Sequence, residues 1–218
     1  METFPDQHDF EATVKFCSPL LRAIRAGLDK GIQARETIDP VYLKDTDPDP
    51  CHSTGTVRRI ARGYLASLGH PHEGWTLVRS VGFSGIRICW GPMNLKVIKA
   101  TPDGCVRPPL TPTQEAFYSQ EPQLSLALGL PGGGYLSPDG GNLIARWLEA
   151  GDLSVRLGLC RPNGVWKGKW QEAETEWDVW PVDLPEDEEG AFPRSVRTGV
   201  PAASILDEAD YRLASEES

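Results

Sequence analysis

The chain changes its periodicity at Trp75, and from there to Ala100 it reads WTLVRSVGFSGIRICWGPMNLKVIKA. Three short runs rich in β-branched and aromatic residues lie in this stretch: Trp75–Arg79, Ile86–Trp90 and Leu95–Ala100. Turns that contain Gly or Gly-Pro separate the runs, which is the pattern of consecutive short strands. We therefore expect an antiparallel meander in the middle of the chain.

Two helices are expected before this meander. In the first, Ser18 and Pro19 have the pattern of an N-cap followed by a proline at the first helical position. Apolar residues at helical spacing follow: Leu20, Leu21, Ile24 and Leu28. Gly31 is then expected to end the helix. A similar spacing upstream leaves a kinked or two-part helix open, and its residues are Phe10, Val14 and Cys17.

The second helix is expected from about Gly55 to Leu68. Its apolar positions are Val57, Ile60, Ala61, Tyr64 and Leu68. The opposite face carries Arg58, Arg59 and Arg62. Between the helices, residues 39–50 contain repeated Asp-Pro pairs and are predicted to be a loop, because each proline removes a backbone donor and restrains its predecessor.

After the meander, Thr111 and Pro112 predict a short helix that runs to about Gln120. Strand-like runs then resume at Leu124–Leu130, Leu143–Glu149, Leu153–Cys160 and Val165–Gln171. The last two are expected to form a hairpin around Arg161–Gly164, because Asn-Gly tolerates the positive φ angles of a tight turn. The sequence thus predicts the α+β class, with two N-terminal helices packed on a mostly antiparallel sheet and a short inserted helix.

The length of 218 residues suits one domain with an appendage better than two domains of average size. We expect a single α+β domain over residues 1–184. Residues 185–218 are expected to be an acidic tail that is partly disordered or forms a short helix.

The first ten residues carry acids where a secretory signal has positive charge, and no stretch reaches the roughly 18 apolar residues of a membrane span. The five cysteines are odd in number and lack any CxxC pair, which fits reduced thiols. We expect a cytoplasmic protein that does not bind membranes.

Several short motifs follow one another from Leu95 onward. They are a basic strand at Leu95–Lys99, the step Pro112-Thr113-Gln114, a short helix with Phe117 and Gln120, the step Gly134-Tyr135-Leu136, and a final tryptophan-bearing strand at Trp177–Leu184. This series resembles a family of uncharacterised proteins of phages and other mobile elements. Members are often encoded beside a helix-turn-helix repressor or an antirepressor-type metallopeptidase. The resemblance covers under half of the chain and implies a genomic setting, but no particular reaction.

Basic and acidic residues are concentrated in different parts of the chain. Residues 53–99 contain seven basic side chains and one acid, Glu73, whereas residues 185–218 contain nine acids and three arginines. The basic residues are Arg58, Arg59, Arg62, Arg79, Arg87, Lys96 and Lys99. If they share one surface, that surface suits a polyanion or an acidic protein, and Trp75 and Trp90 are candidate stacking platforms for bases. The alternative is a solvated face with both tryptophans in the core.

The acidic tail begins with Glu186, Asp187, Glu188 and Glu189. These carboxylates are candidates for contact with a basic partner, or for screening or imitating a ligand of the basic middle.

No catalytic residue, cofactor site or metal site is predicted. Cys51 and His52, followed by His70 and His72, are donors that zinc accepts, but their spacing fits loop residues that cap helix ends better. A nuclease of the restriction-enzyme kind needs acids near Lys96 or Lys99, and residues 74–100 contain none. Glu149 and Asp152 beside Lys167 and Lys169 are the only later substitute.

Taken together, these features favour a non-enzymatic interaction protein of a phage or mobile element that binds and modulates a partner protein. The alternative is a nucleic-acid-binding or nuclease-like toxin or defence protein. The first predicts a complex with a co-encoded protein, and the second predicts nucleic-acid binding that weakens with salt.

Overall fold

The computed structural model describes residues 4–42, 50–68, 75–78, 85–90, 92–120, 141–166 and 172–184. They belong to one compact unit, Met1–Pro185. Residues 186–218, the second unit, lie outside the described residues. The four acids at the start of the predicted tail belong to them. In the described ranges, no helix has both the length and the hydropathy that crossing a membrane requires.

Two helices, α1 (Phe10–Tyr42) and α2 (Pro50–Ser67), pack against each other at the N-terminal side of the fold. Each buries one stripe at a spacing of three and four residues, as an amphipathic helix does. The buried residues of α1 include Cys17, Leu20, Leu21, Ile24, Leu28 and Ile32, and those of α2 are Val57, Ala61 and Leu65.

The expected start of the first helix at Ser18 is wrong, because α1 passes through Ser18 and Pro19 without a break. The Ser18 hydroxyl donates to the carbonyl oxygen of Val14 at 2.9 Å, as a serine inside a helix does. The predicted loop over residues 39–50 is also too long, since α1 continues to Tyr42 and α2 begins at Pro50. Around Pro19, burial of a long apolar stripe outweighs the local preference of the proline.

Gly31 does not end α1. Of the two glycines of α1, it is the one that lies closer to the backbone of α2. A Cβ atom at Gly31 would lie 2.5 Å from the carbonyl oxygen of Val57 and 3.0 Å from its Cα atom. Only a glycine leaves room for the Val57 backbone at this distance. The predicted helix end was therefore wrong, because glycine serves close packing here and not a C-cap.

Six strands form one sheet in sequential order. They are β1 (Trp75–Leu77), β2 (Ile86–Trp90), β3 (Met93–Lys99), β4 (Gly141–Glu149), β5 (Val155–Trp166) and β6 (Ala173–Val179). All neighbours are antiparallel except β3 and β4, which run parallel. The predicted meander is β1 to β3, and the predicted α+β class with helices packed on a mostly antiparallel sheet is confirmed.

The short helix α3 (Pro112–Tyr118) lies in the connection between β3 and β4, where parallel neighbours need a crossover. Thr111 is its N-cap, and the Thr111 side chain accepts a hydrogen bond from the amide of Gln114 at 3.3 Å. The predicted start by a cap and a first-position proline is confirmed.

The two faces of the sheet carry separate hydrophobic clusters. On the face covered by α1 and α2, the large cluster includes Ile88, Leu95, Leu143 and Trp147. On the opposite face, Ile144 and Cys160 pack with Val106, Phe117 and Tyr118. Alternate residues of each strand therefore point to different layers.

The predicted hairpin at Arg161–Gly164 is wrong, because these residues lie inside β5. Between Pro162 and Trp166 the partner in β6 changes only from Thr175 to Ala173, so two extra residues bulge from β5. Gly164 has a φ of 83° in this bulge, and the bulge thus uses the positive φ that a turn would need.

Two further strand predictions have different outcomes. Leu153, the first residue of the predicted run Leu153–Cys160, is exposed in the turn before β5 and has a φ of 65°. The run Leu124–Leu130 lies outside the described residues, as do residues 167–171 of the run that follows Gly164.

A cationic cleft as the candidate functional site

A cleft of about 1070 Å³ opens between α2, the end of β3, the segment after residue 106 and α3. Five of its lining residues are cationic: Arg58, Arg59, Arg62, Lys99 and Arg107. The remaining lining is polar or apolar and includes Cys51, His52, Thr54, Thr56, Ile98, Pro108, Leu110, Gln114 and Tyr118. Among the described residues, none of the lining residues is an acid. We refer to this feature as the cationic cleft.

The orientation of α2 places three arginines in the cationic cleft. Val57, Ala61 and Leu65 of α2 are fully buried in the core shared with α1. Residues one or two positions away from such a stripe turn toward the sides of the helix. Arg58, Arg59 and Arg62 therefore point away from the buried stripe and line the cleft.

Lys99 enters the cleft from the last position of β3. Its Nζ atom lies 3.4 Å from the Thr54 hydroxyl and 5.3 Å from the centre of the Trp147 ring. Burial lowers the pKa of Lys99, and the Glu149 carboxylate opposes that effect. The positive charges of Arg35, Arg107 and Arg58 lower the same pKa further, which shows that the cations of the cleft act on one another.

The four arginines of the cleft differ in their contacts with the rest of the protein. Arg62 donates to the carbonyl oxygens of Val78 at 3.0 Å and Gly85 at 3.4 Å, and it joins α2 to the edge of β1 and β2. Arg59 and Arg107 are exposed, and neither side chain makes a hydrogen bond or ion pair with another residue that the structure describes. They are available to a ligand.

Arg58 is half-buried, and its Nε atom is shielded from solvent without a hydrogen-bond partner. Burial lowers the pKa of Arg58. A buried guanidinium donor without an acceptor is costly, and an anionic ligand would supply the acceptor.

The wall formed by α3 is held by hydrogen bonds that do not involve the cationic side chains. The Tyr118 hydroxyl donates to the carbonyl oxygen of Arg107 at 3.0 Å, and the amide of Leu110 donates to Gln114 Oε1 at 2.7 Å. These two bonds fix the segment from Arg107 to Leu110 against α3.

An ion pair in the neighbourhood of Lys99 joins both helices to the sheet. Arg35 donates to the two carboxylate oxygens of Glu149 at 2.9 and 2.6 Å, and to the Ser53 hydroxyl at 3.3 Å. The Arg35 side chain is buried, and its hydrogen bonds, together with its charge, lower the pKa of Glu149. This carboxylate is therefore occupied by Arg35 rather than lining the cleft.

The structure brings together Arg58, Arg59, Arg62 and Lys99 from the predicted basic surface, but not Arg87 and Lys96. Those two residues are opposite each other on β2 and β3, on the face of the sheet that α3 covers. Arg87 donates to Asn94 Oδ1 at 2.8 Å, and the Lys96 amine lies 5.5 Å from the centre of the Phe117 ring. Burial lowers the pKa of both.

The proposed stacking role of Trp75 and Trp90 does not fit their positions. Both side chains are buried in the core, with 6% and 4% of their surface exposed. They pair across β1 and β2, where their large apolar area is best buried. Arg79 and Glu186, Asp187, Glu188 and Glu189 lie outside the described residues.

Sequence reasoning missed Arg107 and the first turn of α2 as parts of this site. Arg107 follows the basic stretch by eight residues, in a segment with two prolines, and the charge count ended at Lys99. The available signal was its position in the connection that leaves the carboxyl end of β3, eight residues after Lys99.

The candidate metal ligands are not brought into a cluster within the described residues. Cys51 and His52 are exposed in the first turn of α2, and His70 and His72 lie outside the described part. Over the ranges that are described, no three His, Cys, Asp or Glu side chains are placed to hold an ion. Asp152 accepts hydrogen bonds from Ser154 on the surface, and Lys167 and Lys169 are not described.

The chain was compared with protein-family models, curated proteins and solved structures, and none of these comparisons gave a match. The resemblance to phage and mobile-element proteins stays a prediction.

Proposed function

We infer that this protein is a non-enzymatic binding protein that regulates a partner protein by holding an acidic segment of that partner in the cationic cleft. The observation that carries this proposal is the gathering of five cations on one concave surface whose described lining has no carboxylate. Opposite charges across an interface steer association and fix its register.

The dimensions of the cleft support a segment of several residues rather than a single small ion. Its volume of about 1070 Å³ lies just above the roughly 300–1,000 Å³ of pockets for drug-sized ligands. Leu110 is 63% exposed at its wall and offers an apolar contact beside the charges. A peptide with acidic and apolar side chains would match both parts.

Two observations favour an acidic protein segment over a nucleic acid. The tryptophans that were candidates for base stacking are buried, and stacking supplies much of the affinity for single strands. The chain also has a net charge of −9, which repels a long polyanion outside the cleft. Because salt screens charges beyond about 8 Å, the local cations still dominate for a short ligand.

We also propose a phage or mobile-element setting and a cytoplasmic location. The motif resemblance supports the first. The second is supported by five cysteines that form no disulfide bond with one another, as is usual in reducing compartments.

The test compares fluorescein-labelled octaglutamate with labelled octathymidylate by fluorescence anisotropy. The chain should bind octaglutamate more tightly, and the affinity should fall as salt is added. In the double variant Arg59→Gln/Arg107→Gln we expect at least about a tenfold loss, roughly 1.4 kcal/mol.

The matched control is Lys15→Gln/Arg25→Gln, which removes the same charge from exposed sites on α1 outside the cleft. It should bind octaglutamate as the unaltered chain does. Equal losses in both double variants, or a preference for the oligonucleotide, would contradict the proposal.

A further inference from the structure

The amino-terminal half of α2 contributes Cys51, His52, Thr54 and Arg58 to the cleft.

Side chains that can bind an anion lie close together in this part of the cleft. Thr54 and Arg58 are four residues apart and thus on one side of α2, and the Lys99 amine lies 3.4 Å from the Thr54 hydroxyl. The buried Nε atom of Arg58 has no hydrogen-bond partner. A hydroxyl, an amine and a guanidinium therefore line the same part of the cleft.

Burial disfavours the charged form of Lys99, and the charges of Arg35, Arg107 and Arg58 do so too, whereas Glu149 favours it. A bound anion would act in the same direction as Glu149, because it attracts the cations of the cleft that repel one another.

We propose that the group recognised here is a phosphomonoester, and that the cleft holds a phosphorylated segment of the partner protein. This rests on the proposed function. A phosphomonoester brings a charge of about −1.5 to −2 and three acceptor oxygens to one point, whereas a carboxylate brings one charge and two oxygens. The guanidinium of Arg58 suits a tetrahedral oxyanion through paired N–H donors, and Lys99 adds a point charge.

The exposed Leu110 and the adjoining Pro108 extend the site for residues that flank the phosphate. An inorganic phosphate cannot use this surface, and a nucleic acid has only singly charged diesters. Both are therefore expected to bind less tightly than a phosphorylated peptide.

The experiment uses four probes with the full chain: an acidic peptide with a central phosphoserine, the same peptide with glutamate at that position, inorganic phosphate as a competitor, and octathymidylate. Anisotropy should show the phosphopeptide bound about tenfold more tightly than the glutamate peptide. The exposed Cys51 thiol lines the site, so the phosphopeptide should also slow its alkylation, while the buried Cys17 stays unreactive in all samples.

Arg58→Lys keeps the charge and removes the guanidinium, so it should lower the affinity for the phosphoserine peptide to that for the glutamate peptide and thus abolish the preference. Arg25→Lys is the matched control on α1 and should keep the preference. Thermal unfolding of each variant reports whether the fold is retained.

Equal affinity for the phosphoserine and glutamate peptides would overturn this inference and leave the proposed function standing. The same holds if Arg58→Lys keeps the full preference, or if inorganic phosphate binds as tightly as the phosphopeptide. If neither peptide binds, or if octathymidylate binds best, the proposed function fails together with the inference.

Discussion

Replacement of Gly31 by alanine should destabilise the fold, although alanine is the better helix former. In the middle of a helix, alanine is favoured over glycine by about 0.8–1.0 kcal/mol. At Gly31, however, the new Cβ atom would lie 2.5 Å from the carbonyl oxygen of Val57 and 3.0 Å from its Cα atom. Both are backbone atoms that cannot rotate away, so the two helices must separate.

The size of the effect follows from what the separation weakens. Val57, Leu28 and Ile32 are fully buried near this crossing, and a gap of about 0.5–1 Å costs a quarter to a half of each attractive contact. Overpacking of this kind typically costs about 1–3 kcal/mol. A Cβ atom 2.5 Å from a backbone oxygen calls for the upper part of that range, about 2–3 kcal/mol, so after the gain in helix propensity we expect a net loss of about 1–2 kcal/mol in the free energy of unfolding.

Two other glycines calibrate the measurement. A Cβ atom at Gly63 of α2 would meet nothing within 4 Å, so Gly63→Ala should stabilise by about 0.5–1 kcal/mol. Gly27 is intermediate, with the carbonyl oxygen of Ala61 and Cδ1 of Tyr64 both 3.1 Å from a Cβ atom, and its variant should fall between the two. Urea unfolding followed by circular dichroism gives all three values.

The order of stability should be Gly63→Ala above Gly27→Ala above Gly31→Ala. For a chain of this size, a difference of about 2–3 kcal/mol between the extremes corresponds to about 4–12 °C in Tm. If Gly31→Ala is as stable as Gly63→Ala, the close contact of α1 and α2 at Gly31 is refuted.

Three further substitutions test an ion pair, a half-buried carboxylate and a helix cap. Glu149→Gln should lower stability by about 1.5 kcal/mol at neutral pH, because Arg35 lowers the pKa of Glu149 below its ordinary 4.5 and so makes its charge stabilising above that pH. The deficit should disappear as the pH falls through the lowered pKa, and a deficit that persists in urea titrations at low pH would argue against the pair. Asp29→Asn should have the opposite effect and raise stability at neutral pH, because burial raises the pKa of Asp29 and its stabilising effect is lost as the pH rises. Asparagine keeps an acceptor for the amide of Val155. The expected gain is below about 1 kcal/mol at neutral pH and vanishes in acid. Thr111→Ala removes the N-cap of α3 and should cost about 1 kcal/mol in thermal or urea unfolding, and an unchanged stability would contradict the cap.

The parts of the fold that the sequence predicted well are those in which local and tertiary preferences agree. The strands from Trp75 to Lys99 combine β-branched residues with turn signals, and the short helix after Thr111 has both a cap and a first-position proline. The failures occur where packing overrides a local signal. Pro19 lies inside a long buried helix, and Gly164 uses its positive φ in a bulge rather than in a hairpin turn.

The candidate site was predictable only in part, because its residues come from four separate segments of the chain. Arginines on one side of α2 follow from helical periodicity, so their grouping was visible in the sequence. Lys96 and Lys99 lie on opposite sides of the sheet. Which side each one takes depends on strand register and on the parallel pairing of β3 with β4. The approach of Arg107 depends on the crossover, which no periodicity encodes.

The simpler interpretation of these residues is a solvated basic face. That interpretation does not match the contacts that the arginines make. The chain has 31 acids and 22 lysines and arginines, so exposed cations should find carboxylate neighbours easily. Arginines elsewhere do so, as Arg35 pairs with Glu149, Arg146 with Asp178 and Arg161 with Glu176. The described lining of the cationic cleft has no carboxylate, and its walls are fixed by hydrogen bonds that leave Arg58, Arg59 and Arg107 unused. Keeping like charges together costs stability in the free protein, and a ligand that neutralises them recovers that cost as binding free energy.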